Sequence, residues 1–101
     1  MNKNFSFLGL AKKANALLIG QDNVLFALKE RCELFILVSN DVSSTLLRKI
    51  QAKTLSSNVT IINTDLSRGE MGTLLGIHSS SIVAIKKDNT FAEKIRQIET
   101  L

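Results

Sequence analysis

The sequence predicts an α/β fold, a three-layer α/β/α sandwich around a four-stranded mixed sheet. Three observations lead there. Segments of helical and strand period alternate along the chain, and Glu33 to Ser39, ELFILVS, is a continuous apolar run of the kind a strand buried on both faces requires. Leu17 to Lys29, LLIGQDNVLFALK, joins a short strand to a helix through one glycine. Such alternation places one sheet between two helical layers. At 101 residues there is room for one domain, residues 1–101, and not for two.

Each element has its own signal. From Asn4 to Ala14, helical spacing puts either Phe5, Leu8 and Ala11 or Phe7, Leu10 and Ala14 on one face. Leu17 to Ile19 is a short strand. Gly20 then allows a positive φ and a close approach, and a helix runs from Gln21 to about Arg31 with Val24, Ala27 and Leu28 toward the core. Gln21, Asp22 and Asn23 surround its free N–H groups, either as caps or as a recognition end. After the central strand at Glu33 to Ser39, Asn40 and Asp41 turn the chain. Ser43 or Ser44 caps a helix to about Leu55, with Leu47, Ile50 and Thr54 on its stripe and Arg48, Lys49 and Lys53 away from it. Ser56 to Asn58 is a loop, and Val59 to Asn63 is a third strand.

Ser67-Arg68-Gly69-Glu70 has the form of a capping box, so a helix starts there and stops at Gly76. The loop Ile77-His78-Ser79-Ser80-Ser81 leads to a fourth strand, Ile82 to Ile85. Lys86 to Asn89 turns, and Phe91, Ile95 and Ile98 mark a last amphipathic helix. Ligands of such a sandwich usually meet the loops at one rim of the sheet. Gly20 to Asn23, Asn40 and Asp41, and residues 77–81 are the candidates.

Composition narrows the function. With 45% hydrophobic and 22% charged residues the chain should fold alone, and no apolar run reaches the roughly 18–20 residues of a membrane span. With no signal-peptide pattern either, the expectation is a cytoplasmic protein that does not meet the membrane. Cys32 is the only cysteine and His78 the only histidine, which argues against a disulfide framework and a zinc site; no cofactor or metal is expected. Without a Ser-His-acid or Cys-His set that avoids His78, and without the acidic pair that would make Asp41 a phosphoacceptor, the expectation is a protein that is not an enzyme.

A charge of +4 and a pI near 9.5 favour polyanionic partners. There is no Trp or Tyr to stack splayed bases, so folded RNA read by shape and polar contacts fits better than single strands. Lys12, Lys13, Lys29 and Arg31 could add peripheral phosphate contacts.

The segments GQDNVLFALK, LFILVSNDVS and SRGEMGTLLG, followed by a short loop and IVAI, resemble the kink-turn-binding ribosomal proteins. That family includes the archaeal large-subunit protein and bacterial relatives of the YlxQ type. FLGLAKKANALLIGQDNV and DNTFAEKI look like the bacterial branch. The resemblance spans nearly the whole chain and implies a non-catalytic, monomeric, ribosomal or ribosome-associated domain that binds structured RNA at a kink-turn. In that family the glycine turn and its helix meet tandem sheared G·A pairs with the pattern Gly, any residue, Asn, Glu, two residues, Lys. Here Gly20 matches, while Asp22 stands for Asn, Asn23 for Glu and Phe26 for Lys.

Ionised Asp22 accepts but cannot donate, and Phe26 removes a cation whose contact is worth on the order of 1–3 kcal/mol. The resemblance further implies RNA contacts at Gly20, Gln21, Asn40, Asp41 and Arg68. In the 77–81 loop, Ile77 would pack on a flipped-out nucleotide while His78, Ser79 and Ser80 hydrogen bond, Ser80 standing where the bacterial branch often has Arg. The alternative is a protein-interaction or regulatory module on the same fold, with Phe26 as anchor; exposure of Phe26 would favour it.

Overall fold

A computed structural model describes residues 5–54 and 58–99. Its nine elements alternate as α1 Leu8–Lys13, β1 Leu18–Ile19, α2 Gln21–Lys29, β2 Leu34–Val38, α3 Ser44–Lys53, β3 Val59–Asn63, α4 Arg68–Leu75, β4 Ile82–Lys86 and α5 Ala92–Glu99. The sheet order is β1-β4-β2-β3, with β2 parallel to β3 and β4 antiparallel to both β1 and β2. The sheet is therefore mixed and four-stranded, as expected.

All five residues of β2 are buried, because helices cover both faces of the sheet. Alternation along β2 and β4 divides the core in two. Phe35, Leu37, Val83 and Ile85 face α1, α4 and α5 through Leu8, Met71, Leu75 and Ile95. Leu34, Ile36, Val38, Ile82 and Ala84 face α2 and α3 through Val24, Leu28, Leu46 and Ile50. β3 lies at the edge and only Ile62 on it is fully buried, so it is less of a core strand than its apolar sequence suggests.

The boundaries differ from the expected ones where local backbone chemistry intervenes. α1 is shorter: Leu8 N–H donates to Phe5 O in a preceding turn (3.0 Å), and Asn15 at φ 56° ends the helix with Ala16 N–H on Ala11 O (2.9 Å). Asn4 lies outside the described residues. Of the two faces open to this helix, Phe5, Leu8 and Ala11 are buried and Leu10 is 63% exposed. α2 ends at Lys29 in the same way, with Arg31 at φ 62° and Cys32 N–H on Ala27 O (3.0 Å). In α3, Ser43 is the cap, its Oγ accepting from Leu46 N–H at 3.1 Å. The buried stripe is Leu46 and Ile50, not Leu47, which is half-buried. The expected end at Leu55 and the loop residues Ser56 and Ser57 lie outside the described residues.

α4 has the complete capping box: Ser67 Oγ accepts from Glu70 N–H (3.1 Å) and Glu70 Oε1 from Ser67 N–H (2.9 Å). Gly76, left-handed at φ 72°, closes it. Gly72 serves packing instead. A Cβ there would stand 2.6 Å from Ser79 Cα and 2.8 Å from His78 O, so the 77–81 loop lies directly on α4. Gly72→Ala is expected to destabilise the protein by about 1–3 kcal/mol and to displace the loop. Gly69→Ala, whose Cβ meets nothing nearer than 3.8 Å, should be neutral or stabilising by about 0.5 kcal/mol. Thermal unfolding of the two variants checks both.

Candidate functional site

Mixed pairing puts the ends of β1 and β2 and the start of β4 on one rim, and hydrogen bonds tie the loops there into a ring. Gly20 N–H donates to Ile82 O (3.1 Å), Ser39 N–H to Ser81 O (2.9 Å), and Asn40 N–H to Leu66 O (2.7 Å). Arg68 N–H donates to Asp41 Oδ1 (3.0 Å) and Ser80 N–H to Arg68 O (3.1 Å). Gly20 to Asn23, Asn40, Asp41, Arg68 and the 77–81 loop thus share one edge of the sandwich.

Their roles within that edge differ. Gly20 is at φ 92°, ψ 160°, a conformation strained for any side chain, and nothing lies within 4 Å of where its Cβ would be. α2 begins there without a side-chain cap. Asn23 Nδ2 instead reaches back to Ile19 O (2.9 Å), which leaves its Oδ1 as an acceptor beside exposed Gln21 and Asp22. So the reading of Asp22 and Asn23 as caps gives way to an open helix start. Phe26, a turn further along α2, is 63% exposed.

Across the rim, Asn40 is committed to the scaffold through Nδ2 on Asp65 O (3.2 Å). Ser80 is the main departure. Its side chain is buried and donates from Oγ to Ile82 O (2.9 Å), so it braces the loop and does not face outward. Ile77 is half-buried against the core, while His78 and Ser79 are exposed.

Sequence reasoning missed the residues that hold the rim from within. Thr64 Oγ1 donates to Val38 O (2.8 Å) and accepts from Leu66 N–H (3.3 Å), which locks the exit of β3 to that of β2. Ser39 is buried beneath Asp41, and its Oγ meets no partner in full hydrogen-bond geometry. A small hydroxyl straight after a strand is the only signal either left. The peripheral cations do not share this face: Lys12 and Lys13 line a groove between α1 and α4, and Lys29 and Arg31 a hollow at the far ends of α2 and α3.

The model of the ribosomal protein L7Ae/L30e/S12e/Gadd45 family matches residues 3–95. The chain belongs to this family. Among solved structures, the L7Ae-family chain is similar to a protein with unknown function from Bacillus halodurans at 23% identity. That likeness has a TM-score of 0.79 and covers 93% of this chain and 94% of that one. It is also similar to a Giardia lamblia 15.5 kD RNA-binding protein at 11% identity and a TM-score of 0.73, over 92% of this chain and 78% of that one. At these identities both show the fold alone. No curated protein sequence matches the chain.

The electrostatics of this L7Ae-family rim are unusual for a basic chain. Among the described residues of the rim, Asp22, Asp41, Asp65 and Glu70 stand against one guanidinium, that of Arg68, which is itself paired with Asp41 (Nε to Oδ2, 3.5 Å). The Asp41 carboxyl is held below its ordinary value of 3.8, first by the neighbouring Ser39 hydroxyl and then, against desolvation, by the Arg68 N–H and guanidinium. A lowered folded-state value means that Asp41 adds stability above the ordinary carboxylate range and loses it as pH falls through its folded value. Wild type should therefore lose its advantage over Asp41→Asn on acidification from pH 7 to pH 3, by a small amount because the pair is exposed. Denaturant unfolding of the two proteins across that range measures it.

Proposed function

We propose that this chain acts as one non-catalytic, cytoplasmic, ribosomal or ribosome-associated domain that binds structured RNA, docking its rim on a kink-turn-like bend. The observation that carries the reading is the convergence of the open Gly20 helix start, Arg68 and the 77–81 loop on one hydrogen-bonded edge. Family membership, the RNA-binding name of the Giardia lamblia neighbour and the net charge of +4 support it. Among the described residues no helix is long and apolar enough to cross a membrane.

The chemistry of such docking follows from the donors and acceptors. Gly20 lets nucleic acid come close to the backbone. Gln21 both donates and accepts, while Asp22 and Asn23 Oδ1 accept from the amino groups on base edges. Arg68 takes a phosphate, and His78 and Ser79 bond at the bend with Ile77 packed behind them. With carboxylates outnumbering cations here, the rim contributes selectivity for shape and base edges more than raw charge attraction.

The test is binding of the purified chain to a kink-turn RNA and to the same RNA with its G·A pairs replaced, each at two salt concentrations. The intact bend should bind at least about 10-fold more tightly at both, and Arg68→Ala should weaken binding by about 3- to 10-fold. Equal, purely salt-controlled binding to the two RNAs would sink the kink-turn reading.

The exposure of Phe26 favours a second reading, in which the same fold serves protein interaction and Phe26 anchors the partner. Phe26→Ala should change stability by no more than about 0.5 kcal/mol, since the ring packs on little. If it also leaves RNA affinity and bend preference intact, Phe26 is free for such a partner; a loss of RNA affinity would place the ring at the RNA interface instead.

A further inference from the structure

Part of the positive charge that the rim lacks lies at the opposite end of α2. A hollow of about 450 Å³ lies there between the last turns of α2 and α3, lined by Lys29, Arg31, Lys53, Asn58 and Glu33. Lys29 and Lys53 close their helices, where the dipoles favour cations, so two helix ends aim basic side chains at one space. Arg31 stands at φ 62°, where glycine would be relaxed. Lys87 Nζ holds Asn58 Oδ1 at 2.9 Å, which leaves the Asn58 amide hydrogens as donors for a ligand. Three cations and an amide face one carboxylate, the reverse of the balance at the rim.

We propose that this hollow is a second anion site, which holds phosphates of the same RNA where its stem runs on from the bend. The proposal rests on the RNA reading above and adds a second contact to it. Distance allows it: the nine residues of α2 span about 13 Å, so a strand leaving the Gly20 turn along α2 reaches Lys29 and Arg31 within a few nucleotides. The two sites divide the work. The rim discriminates among RNA shapes, and the hollow supplies the salt-dependent affinity.

The experiment compares wild type with a Lys29→Gln/Arg31→Gln/Lys53→Gln variant and with Lys12→Gln/Lys13→Gln, which removes charge from the α1–α4 groove instead. Each binds a kink-turn RNA with a long stem and one trimmed at the bend, over a range of salt. The triple variant should bind the long-stem RNA about 10-fold more weakly at low salt, with the slope of log K against log salt shallower by about 2. Its preference for intact G·A pairs and its affinity for the trimmed RNA should stay as in wild type, and the Lys12/Lys13 control should lose less than about 2-fold.

Unchanged affinity and slope, a loss no larger than that of the control, or an equal loss on the trimmed RNA would each overturn the proposal. Lys29→Arg/Lys53→Arg keeps the charge and should keep the affinity, which separates a lost phosphate contact from a lost fold. If inorganic phosphate raises the Tm of wild type but not of the triple variant while both bind long-stem RNA alike, the hollow takes a free anion and the RNA assignment falls. If wild type shows no bend preference but the triple variant still loses long-stem affinity, the hollow stands and the kink-turn reading falls.

Discussion

The burial of β2 on both faces is the constraint on which the rest of the structure depends. A strand with no wet face must be covered twice, so the chain needs helices on either side of the sheet, and it must pair along both edges, which β3 and β4 provide. Leu34, Ile36 and Val38 then belong to one core and Phe35 and Leu37 to the other. A register slip by one residue would send every side chain of β2 to the opposite core, where Phe35 would displace smaller residues. The mixed pairing has a further effect. β2 and β3 run together while β4 runs against them, so the exit of β2 and the entry to β4 meet at one rim.

That rim is braced by backbone chemistry. Loops that leave a sheet carry N–H and C=O groups with no ladder partner, and here they satisfy one another around a ring from Gly20 through Ser81, Asn40 and Arg68 to Ser80. Thr64 and Ser80 spend their hydroxyls on carbonyls of Val38 and Ile82 for the same purpose. The missing side chain of Gly72 lets the 77–81 loop settle on α4. The groups left facing outward, Gln21, Asp22, Arg68, His78 and Ser79, therefore stand on a braced support.

Charge is distributed against simple expectation. A net +4 spread evenly would make the rim attractive to any polyanion, yet carboxylates dominate it, while groups of cations lie along α3, in the α1–α4 groove, at the far end of α2, at the end of β4 and on α5. On the function proposed above, such a balance would repel ill-placed phosphates and favour an RNA of defined shape over a generic polyanion.

By itself the sequence determined the order and type of every element, the doubly buried strand, the Gly20 turn, the Ser67 capping box and the Gly76 stop. These rest on local causes: apolar spacing, one residue's allowed φ, and side chains that reach only three or four positions. Only the tertiary structure decided which face of α1 is buried, that Leu46 and not Leu47 enters the core, and that Ser80 turns inward while Phe26 turns outward. It alone sorted Lys12 and Lys13 from Lys29 and Arg31 and revealed Ser39 and Thr64 beneath the rim. Thr64 finds its partner at Val38 and Arg68 at Asp41, each more than 20 residues away, and no pattern within one segment records such pairings.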